Sequence, residues 1–294
     1  MTTNELTAQN NNYGENKIMT LIQAIVLGIV QGLTEFLPVS SSGHLVMTQT
    51  LFGITENNLS FAIILHLGTL FAIIIAYHSA VFNMIKQFFL MIGDLFTKRS
   101  FNLAESKYRY YIVYIIVATI PAGIVGVLFS DLISEAFSSV VLISITFAIT
   151  GAILLVGEKI GKQNEGIIEK LGPKKAFIVG LFQMLAITPG ISRSGTTMTG
   201  GLFMGLKKED ALEFSFLLAL PAILGSLLLE FSEVVIAIQT ISPLYVLAGF
   251  LSAVVVGYGS IKLFNAIVKK GKMIVFSCYL WLLSIVLIAK LLLF

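Results

Sequence analysis

Residues 34–45 of this chain read TEFLPVSSSGHL, and they follow the apolar run IMTLIQAIVLGIVQGL of residues 18–33 without a break. A glutamate, three adjacent serines and a histidine therefore stand where the second half of a membrane-spanning helix would be expected. A charged residue near mid-bilayer costs ~2.5–3.5 kcal/mol on insertion scales, so such residues mark functional segments. Irregular backbone at that depth is tolerated only where it is buried in protein or lines a water-filled cavity. The stretch predicts a membrane protein with a polar interior site.

The composition of the whole chain agrees with a membrane protein. Its 294 residues are 56% hydrophobic and 12% charged, about half the charge of an ordinary soluble domain. Several apolar stretches reach the ~20 residues that a helix needs to cross a bilayer. The predicted fold class is an all-α integral membrane protein with no separate soluble domain.

The chain is predicted to have one folded domain. Residues 1–17 are polar, rich in Asn and without apolar periodicity, which predicts a disordered tail. Residues 18–294 are predicted to form a single membrane domain. The one cysteine, Cys278, lies in an apolar segment and is predicted to be a small core residue.

Six apolar segments are predicted to cross the membrane. They are residues 60–79, 109–130, 138–156, 211–230, 243–263 and 273–293. Residues 81–97 are also apolar but contain Lys86 and Asp94, which predicts an amphipathic helix on the membrane surface. Two further apolar segments, 18–34 and 176–188, each run into a motif rich in Gly, Pro and Ser.

The basic residues decide between two topologies for these last two segments. If each segment is half of a re-entrant hairpin, sixteen Lys and Arg lie on one face of the membrane. The loops on the other face, 131–137 and 230–242, then contain acidic residues and no Lys or Arg. If the segments simply cross, the same basic residues divide ten against six. Because short cytoplasmic loops carry the excess of Lys and Arg, the hairpins are favoured, with both termini outside.

The two hairpins belong to an internal repeat. Residues 24–43 align without a gap to residues 176–195 and match at seven positions, Gly28 with Gly180 and Gln31 with Gln183 among them. This predicts two repeats, one of about 18–157 and one of about 175–294, each a re-entrant hairpin plus three transmembrane helices. Three spans separate the hairpins, so the repeats have inverted topology and their polar tips meet near the midplane, as in a binding site.

The two tips carry side chains suited to a phosphoryl group. The planar guanidinium of Arg193 can bind phosphate oxygens in bidentate fashion. Glu35 and His44 are candidate acid–base groups, and Ser41 is a candidate nucleophile. The candidate phosphate-binding residues are Gln31, Ser42, Ser192, Ser194 and Thr197. A structural alternative is that Glu35 and Arg193 form a buried ion pair that only holds the tips together.

At these motifs the chain resembles a known family. The segments QGLTEFLPVSSSGHL and PGISRSGTTMTGG are similar to the signature segments of bacterial undecaprenyl-diphosphate phosphatases of the bacitracin-resistance type. The resemblance extends from about Met19 to the end of the chain. It implies a multi-pass enzyme of the bacterial inner membrane that removes one phosphate from undecaprenyl diphosphate and so recycles the lipid carrier for cell-wall synthesis. It also implies catalytic roles for Glu35, Ser41, His44 and Arg193, with Ser192 and Thr197 around the phosphate.

Several points stay open at this level. Gln31 stands where many relatives carry a second carboxylate, which weakens any two-carboxylate metal site, and a divalent cation such as Mg²⁺ or Ca²⁺ remains an open question. His66, within a predicted span, is compatible with a cavity position or with packing. The rival function is a polyprenyl-phosphate flippase or an anion transporter, because inverted repeats with broken helices are transporter architecture. The expected partners are a polyprenyl diphosphate substrate and membrane lipids, without nucleic acid; a homodimer is left open.

Overall fold

The structure is a computed structural model that describes residues 19–54, 58–97, 102–137 and 139–293. The predicted tail, residues 1–17, lies outside the described residues. The described residues form thirteen α-helices, two 3-10 turns and one isolated β-bridge. In chain order the helices are α1 Leu21–Phe36, α2 Ser41–Phe52, α3 Asn58–Ala76, α4 His78–Thr97, α5 Lys107–Leu128, α6 Ser130–Ala136, α7 Val140–Ile160, α8 Pro173–Leu185, α9 Arg193–Phe203, α10 Lys208–Leu229, α11 Phe231–Thr240, α12 Pro243–Lys269 and α13 Ile274–Leu293.

The predicted spans agree closely with the helices. Among the described residues, six helices are long and apolar enough to cross a bilayer, namely α4, α5, α7, α10, α12 and α13. Five of these coincide with predicted spans, and the remaining predicted span, 60–79, corresponds to the apolar but shorter α3. The segment 81–97 lies within α4, whose length and hydropathy would also allow it to cross. Its placement on the membrane surface therefore stays a prediction.

Three helices follow their neighbours after a single residue. Tyr77 alone separates α3 from α4, Phe129 alone separates α5 from α6, and Glu230 alone separates α10 from α11. Antiparallel helix pairs are usually joined by about two to five residues. The short joints therefore favour a bend at these points over a tight return along the preceding helix.

Two helix–turn–helix units, which we call the first hairpin (α1 and α2) and the second hairpin (α8 and α9), interrupt the bundle. Thr20 and Gln23 form a reciprocal cap at the start of α1, and the chain turns at Leu37 and Pro38 because proline cannot continue the helix. In the second hairpin, Pro173 occupies the first turn of α8, where its missing N–H costs nothing. Both hairpins thus present a turn between two short helices.

Each hairpin packs against a long helix from the other half of the chain. The first hairpin places α1 along α12, and the second places α8 along α5, while α7 packs along α13. Glycine permits the close approach at both hairpins. A Cβ built on Gly28 would lie 2.3 Å from the carbonyl oxygen of Gly249, and one on Gly180 would lie 2.4 Å from that of Ala118. These contacts hold the two hairpins at fixed positions in the bundle.

The main hydrophobic core lies between the halves and contains several fully buried aromatic rings. They include Phe36, Phe147, Phe214, Phe216 and Phe264. Cys278 does not belong to this core, so the sequence-based placement of this residue is wrong: it is exposed. The reason is helical geometry, because Ser277, Leu280 and Ser284 form the buried face of α13 and Cys278 points elsewhere.

Candidate functional site

The turns of the two hairpins meet. The guanidinium Nη2 of Arg193, at the start of α9, donates a hydrogen bond to Glu35 Oε1, near the end of α1. The backbone N–H of Gly190 donates to Ser42 Oγ at 3.3 Å. The prediction that the polar tips lie in one site is therefore confirmed.

Glu35 is the centre of the contact set. Its side chain is buried, with Oε1 bound to Arg193 and Oε2 accepting two further hydrogen bonds. Ser41 Oγ donates to Oε2 at 2.6 Å, and Gln31 Nε2 donates to the same oxygen at 3.0 Å. Gln31 and Glu35 are four positions apart and therefore lie on one face of α1. The structure brings together Gln31, Glu35, Ser41 and Arg193, all four of them predicted site residues.

Two polar atoms of this set are buried and lack a hydrogen-bond partner among the described residues. They are Nη1 of Arg193 and Oε1 of Gln31. A buried guanidinium nitrogen left unpaired is costly, whereas a bound anion would satisfy it. The arrangement thus has free capacity for a ligand with acceptor oxygens, such as a phosphoryl group.

His66 is a member of the site that sequence reasoning left undecided. Its Nε2 lies 3.7 Å from Glu35 Oε2, and its Nδ1 lies 2.8 Å from the carbonyl oxygen of Ala62. The side chain is 29% exposed, so it borders both the carboxylate and open space. A signal existed in the repeat: His66 aligns with Ala219, so a polar residue stands in one repeat where the other repeat is apolar. An ionisable residue inside an apolar span is a functional candidate.

His44 has its ring nitrogens bonded away from Glu35. Nδ1 lies 2.8 Å from the carbonyl oxygen of Ser40, so it must carry the proton and donate. Nε2 then accepts from the hydroxyl of Tyr279, at 2.7 Å. The ring also stacks on Tyr279. The structure therefore places His44 beside the hairpin turn but does not bring it into contact with Glu35 or Arg193.

The predicted hydroxyl groups of the second hairpin are buried and already hydrogen-bonded. Ser192 Oγ accepts from the N–H of Gly195 at 3.3 Å and lies 3.3 Å from Ser194 Oγ. Thr197 Oγ1 donates to the carbonyl oxygen of Arg193 at 2.7 Å and lies 2.6 Å from Ser215 Oγ. These bonds cap and stiffen the first turn of α9, the turn that carries Arg193.

The backbone at the first turn is strained. Ser40 has φ 70°, and it is the one non-glycine residue with positive φ among the described residues. Its hydroxyl accepts from the N–H of Gly43 and so caps α2. Non-glycine residues in this region are held there by surrounding structure and cluster at functional sites. The strained turn places Ser41 against Glu35.

The donor set does not form a protein-only metal cage. Across the described ranges there is no group of three or more His, Cys, Asp or Glu side chains that could hold a metal ion. Mg²⁺ and Ca²⁺ take six or more oxygen ligands, chiefly carboxylates, carbonyls and water. Glu35 is the one carboxylate in the contact set of Gln31, Glu35, Ser41 and Arg193, so these residues do not fit such a cage.

Comparison with known proteins gives a consistent result. The family model described as Bacitracin resistance protein BacA matches residues 24–286. An Undecaprenyl-diphosphatase of Alkaliphilus metalliredigens is 45% identical over 279 residues, covering 93% of this chain and 100% of the relative. An Undecaprenyl-diphosphatase of Methanobrevibacter smithii is 40% identical, covering 91% of this chain and 96% of the relative. Undecaprenyl-diphosphatase 1 of Shouchella clausii is 38% identical, covering 91% and 95%.

Proposed function

The chain belongs to the bacitracin resistance protein BacA family, and from this membership we propose that it is an undecaprenyl-diphosphatase. It is a multi-pass membrane hydrolase that converts undecaprenyl diphosphate and water to undecaprenyl phosphate and inorganic phosphate. The reaction returns the lipid carrier to peptidoglycan synthesis and gives resistance to bacitracin. We place it in the bacterial cell (inner) membrane, where both the lipid substrate and six spans can be accommodated.

The observation that carries the proposal is the unpaired nitrogen of Arg193. One terminal nitrogen, Nη2, is held by Glu35, and the other, Nη1, is buried without a partner among the described residues. A guanidinium fixed in this way is oriented before substrate arrives, and its free edge can bind a phosphate oxygen. Pre-oriented positive charge of this kind stabilises the charge that develops during phosphoryl transfer.

The hydroxyl of Ser41 is the nucleophile in this scheme. Its oxygen attacks the terminal phosphorus, and its proton passes to Glu35 Oε2, 2.6 Å away. The bond from that phosphorus to the bridging oxygen breaks, and undecaprenyl phosphate leaves with the electron pair. Water then attacks the phosphoserine, the bond from phosphorus to Ser41 Oγ breaks, Glu35 returns the proton to that oxygen, and inorganic phosphate departs with both protons of the water.

The other predicted site residues position Arg193 and Ser41. Ser192, Ser194 and Thr197 form hydrogen bonds that fix the first turn of α9 and thereby the direction of Arg193. Ser42 fastens the first hairpin to the second through Gly190. His44, bonded to Ser40 and Tyr279, orients the start of α2 and with it Ser41.

We further propose the inverted-repeat topology that the sequence predicts, with repeats of about 18–157 and 175–294. The order of elements supports it, since each half contains a hairpin, a helix joined to its successor by one residue, and two further long helices. The packing supports it too. In the proposed repeats α1 corresponds to α8 and α12 corresponds to α5, so the packing of α1 along α12 is repeated by the packing of α8 along α5. Gly28 and Gly180, which match in the repeat, occupy the close contact in each pair.

Phosphate release from purified protein tests the function. Undecaprenyl diphosphate in detergent micelles should yield inorganic phosphate and undecaprenyl phosphate in equal amounts. A flippase or anion transporter would leave the substrate intact, because a micelle has no second compartment. Absence of phosphate release from folded protein would therefore contradict the proposal.

A further inference from the structure

We propose that His66 is a further residue of the reaction: it takes the proton of Ser41 from Glu35 and later returns it. This inference rests on the proposed function. The proton path runs from Ser41 Oγ through Glu35 Oε2 to His66 Nε2, and these atoms are joined by the contacts of 2.6 Å and 3.7 Å already described.

The hydrogen bond to Ala62 fixes the state of the imidazole. A carbonyl oxygen only accepts, so Nδ1 of His66 must carry a hydrogen to donate at 2.8 Å. The neutral ring then has its free lone pair on Nε2, the atom that faces Glu35. The lone pairs of His66 Nε2 and Glu35 Oε2 therefore face each other at 3.7 Å. A proton on either atom would make this contact attractive.

The hydrogen bonds to Glu35 disfavour a proton that stays on its carboxylate. Oε1 accepts from Arg193, and Oε2 accepts from both Ser41 and Gln31. A proton that stayed on Oε2 would replace an accepted hydrogen bond and would weaken the ion pair with Arg193. Imidazole is the side chain best suited to exchange protons near neutral pH, and His66 is the imidazole that touches this carboxylate.

The balance of the two half-reactions is complete with His66 included. In the first, the Ser41 O–H bond breaks, the proton passes through Glu35 to Nε2, and the imidazole becomes an imidazolium. In the second, water attacks the phosphoserine, the bond from phosphorus to Ser41 Oγ breaks, and the imidazolium returns its proton to that oxygen through Glu35. Both protons of the water leave on the phosphate, which departs as dihydrogen phosphate, so no further reactant is needed.

Other charged groups near His66 have to be separated from it in a pH experiment. Glu35 faces the ring from the first hairpin and is itself bound to Arg193 of the second hairpin. Glu230, directly after the last residue of α10, is close enough to interact with His66 electrostatically, and burial raises the pKa of its carboxyl, with Glu233 acting in the same direction. Glu233 itself binds Ser60 on the helix that carries His66.

Two substitutions separate proton transfer from packing. His66→Asn keeps an amide that can donate to Ala62, and His66→Gln keeps an amide that reaches toward Glu35, but neither group exchanges protons. Both should lower kcat about 10²–10⁴-fold with KM nearly unchanged, the usual size of an acid–base contribution. The control is His78→Gln, at an exposed histidine that begins the next helix, α4, and this variant should leave kcat unchanged.

Two further measurements do not depend on those variants alone. The kcat of the wild type should fall at acid pH, as expected of a reaction that needs a base to accept a proton, and Glu230→Gln should keep this fall. Added imidazole should restore part of the activity of His66→Ala, an effect that a purely structural role would not produce.

The outcomes are distinguishable. Folded His66→Asn or His66→Gln protein with more than a tenth of wild-type kcat overturns the inference while leaving the proposed function intact. A wild-type kcat that stays flat through the acid range overturns it as well, whether or not the variants fold. Wild-type protein that releases no phosphate overturns the proposed function itself.

Discussion

Arg193 and Glu35 lie 158 positions apart in the chain, and their side chains form the ion pair that joins the turns of the two hairpins. The pair uses one terminal nitrogen of the guanidinium and leaves the other buried and unpaired within the described residues. An ion pair that only held the hairpins together would not require the unpaired nitrogen, Nη1, of Arg193.

Arg193→Lys should lose most activity although it keeps the charge. A lysine ammonium is a point charge that cannot hold Glu35 with one nitrogen and a phosphate oxygen with another. The expected fall in kcat is about 10²–10³-fold, the usual effect of removing one donor to developing negative charge. Phosphate release and thermal unfolding should be measured on the same preparation, with Lys207→Arg as a surface control. Near-normal turnover in folded Arg193→Lys protein would show that the second nitrogen is not used.

Glu35→Gln should stop turnover and leave lipid diphosphate binding largely intact. Glutamine keeps the shape and one acceptor oxygen for Arg193, but it cannot take the proton of Ser41. The expected loss is at least about 10²–10⁴-fold. Binding of undecaprenyl diphosphate and the midpoint of thermal unfolding should be followed together with activity. A stable variant with more than a tenth of wild-type activity is incompatible with the role assigned to Glu35.

Ser41→Ala and Ser42→Ala should behave differently although the residues are neighbours. Ser41 donates to Glu35, so its loss should abolish phosphate release with little change in stability. Ser42 accepts from Gly190, so its loss should lower the free energy of unfolding by about 1 kcal/mol, the value of one hydrogen bond, and retain measurable turnover. A radiolabelled terminal phosphate should appear on Ser41 in wild-type protein quenched in acid. Equal activity of the two variants would contradict the assignment of Ser41 as nucleophile.

Gly180→Ala should destabilise the protein by about 1–3 kcal/mol through overpacking. The new Cβ would lie 2.4 Å from the carbonyl oxygen of Ala118 on α5. The matched control is Gly126→Ala on α5, where nothing lies within 4 Å of a Cβ and alanine favours the helix. Thermal unfolding in detergent compares the two. Equal stabilities would show that α8 and α5 are not in the contact described.

The hairpins should each return to the side of the membrane from which they enter. In a Cys278→Ser background, Thr20→Cys and Thr50→Cys should both react with a membrane-impermeant maleimide added outside the cell. Lys174→Cys and Glu209→Cys should react only after the cells are opened, because the proposed topology places the basic loops in the cytoplasm. Opposite accessibility of Thr20→Cys and Thr50→Cys would show that the first hairpin crosses the membrane.

Hydropathy and charge were sufficient to predict most helices, because each span has to bury its own backbone hydrogen bonds in lipid. The ends of α5 and α10, for example, differ from the predicted segments 109–130 and 211–230 by only a few residues. The repeat then indicated that Arg193 and Glu35 would meet, since the polar tips of the two hairpins, which carry them, were predicted to face one another. These features depend on pattern along the chain.

Side-chain direction was harder to predict, because it depends on which face of a helix meets which neighbour. His44 and Glu35 are close in sequence, but the ring of His44 is held by Ser40 and Tyr279, the latter from the far end of the chain. His66 lies in an apolar span with no periodicity to reveal its face, yet it contacts Glu35. In both histidines the direction of the side chain is set by contacts with segments that are distant in the sequence.

The ion pair has one more consequence, for what happens after the chemistry. With no phosphate present, carboxylate and guanidinium cancel, so these two groups leave the empty site without net charge inside the membrane. A phosphate bound to Arg193 sits beside the fixed negative charge of Glu35, and like charges at close range repel strongly where little water is present. The Glu35 carboxylate thus repels the phosphate product that is bound to the same guanidinium. This repulsion favours release of phosphate, after which Arg193 and Glu35 are again a neutral pair and the site can bind the next substrate.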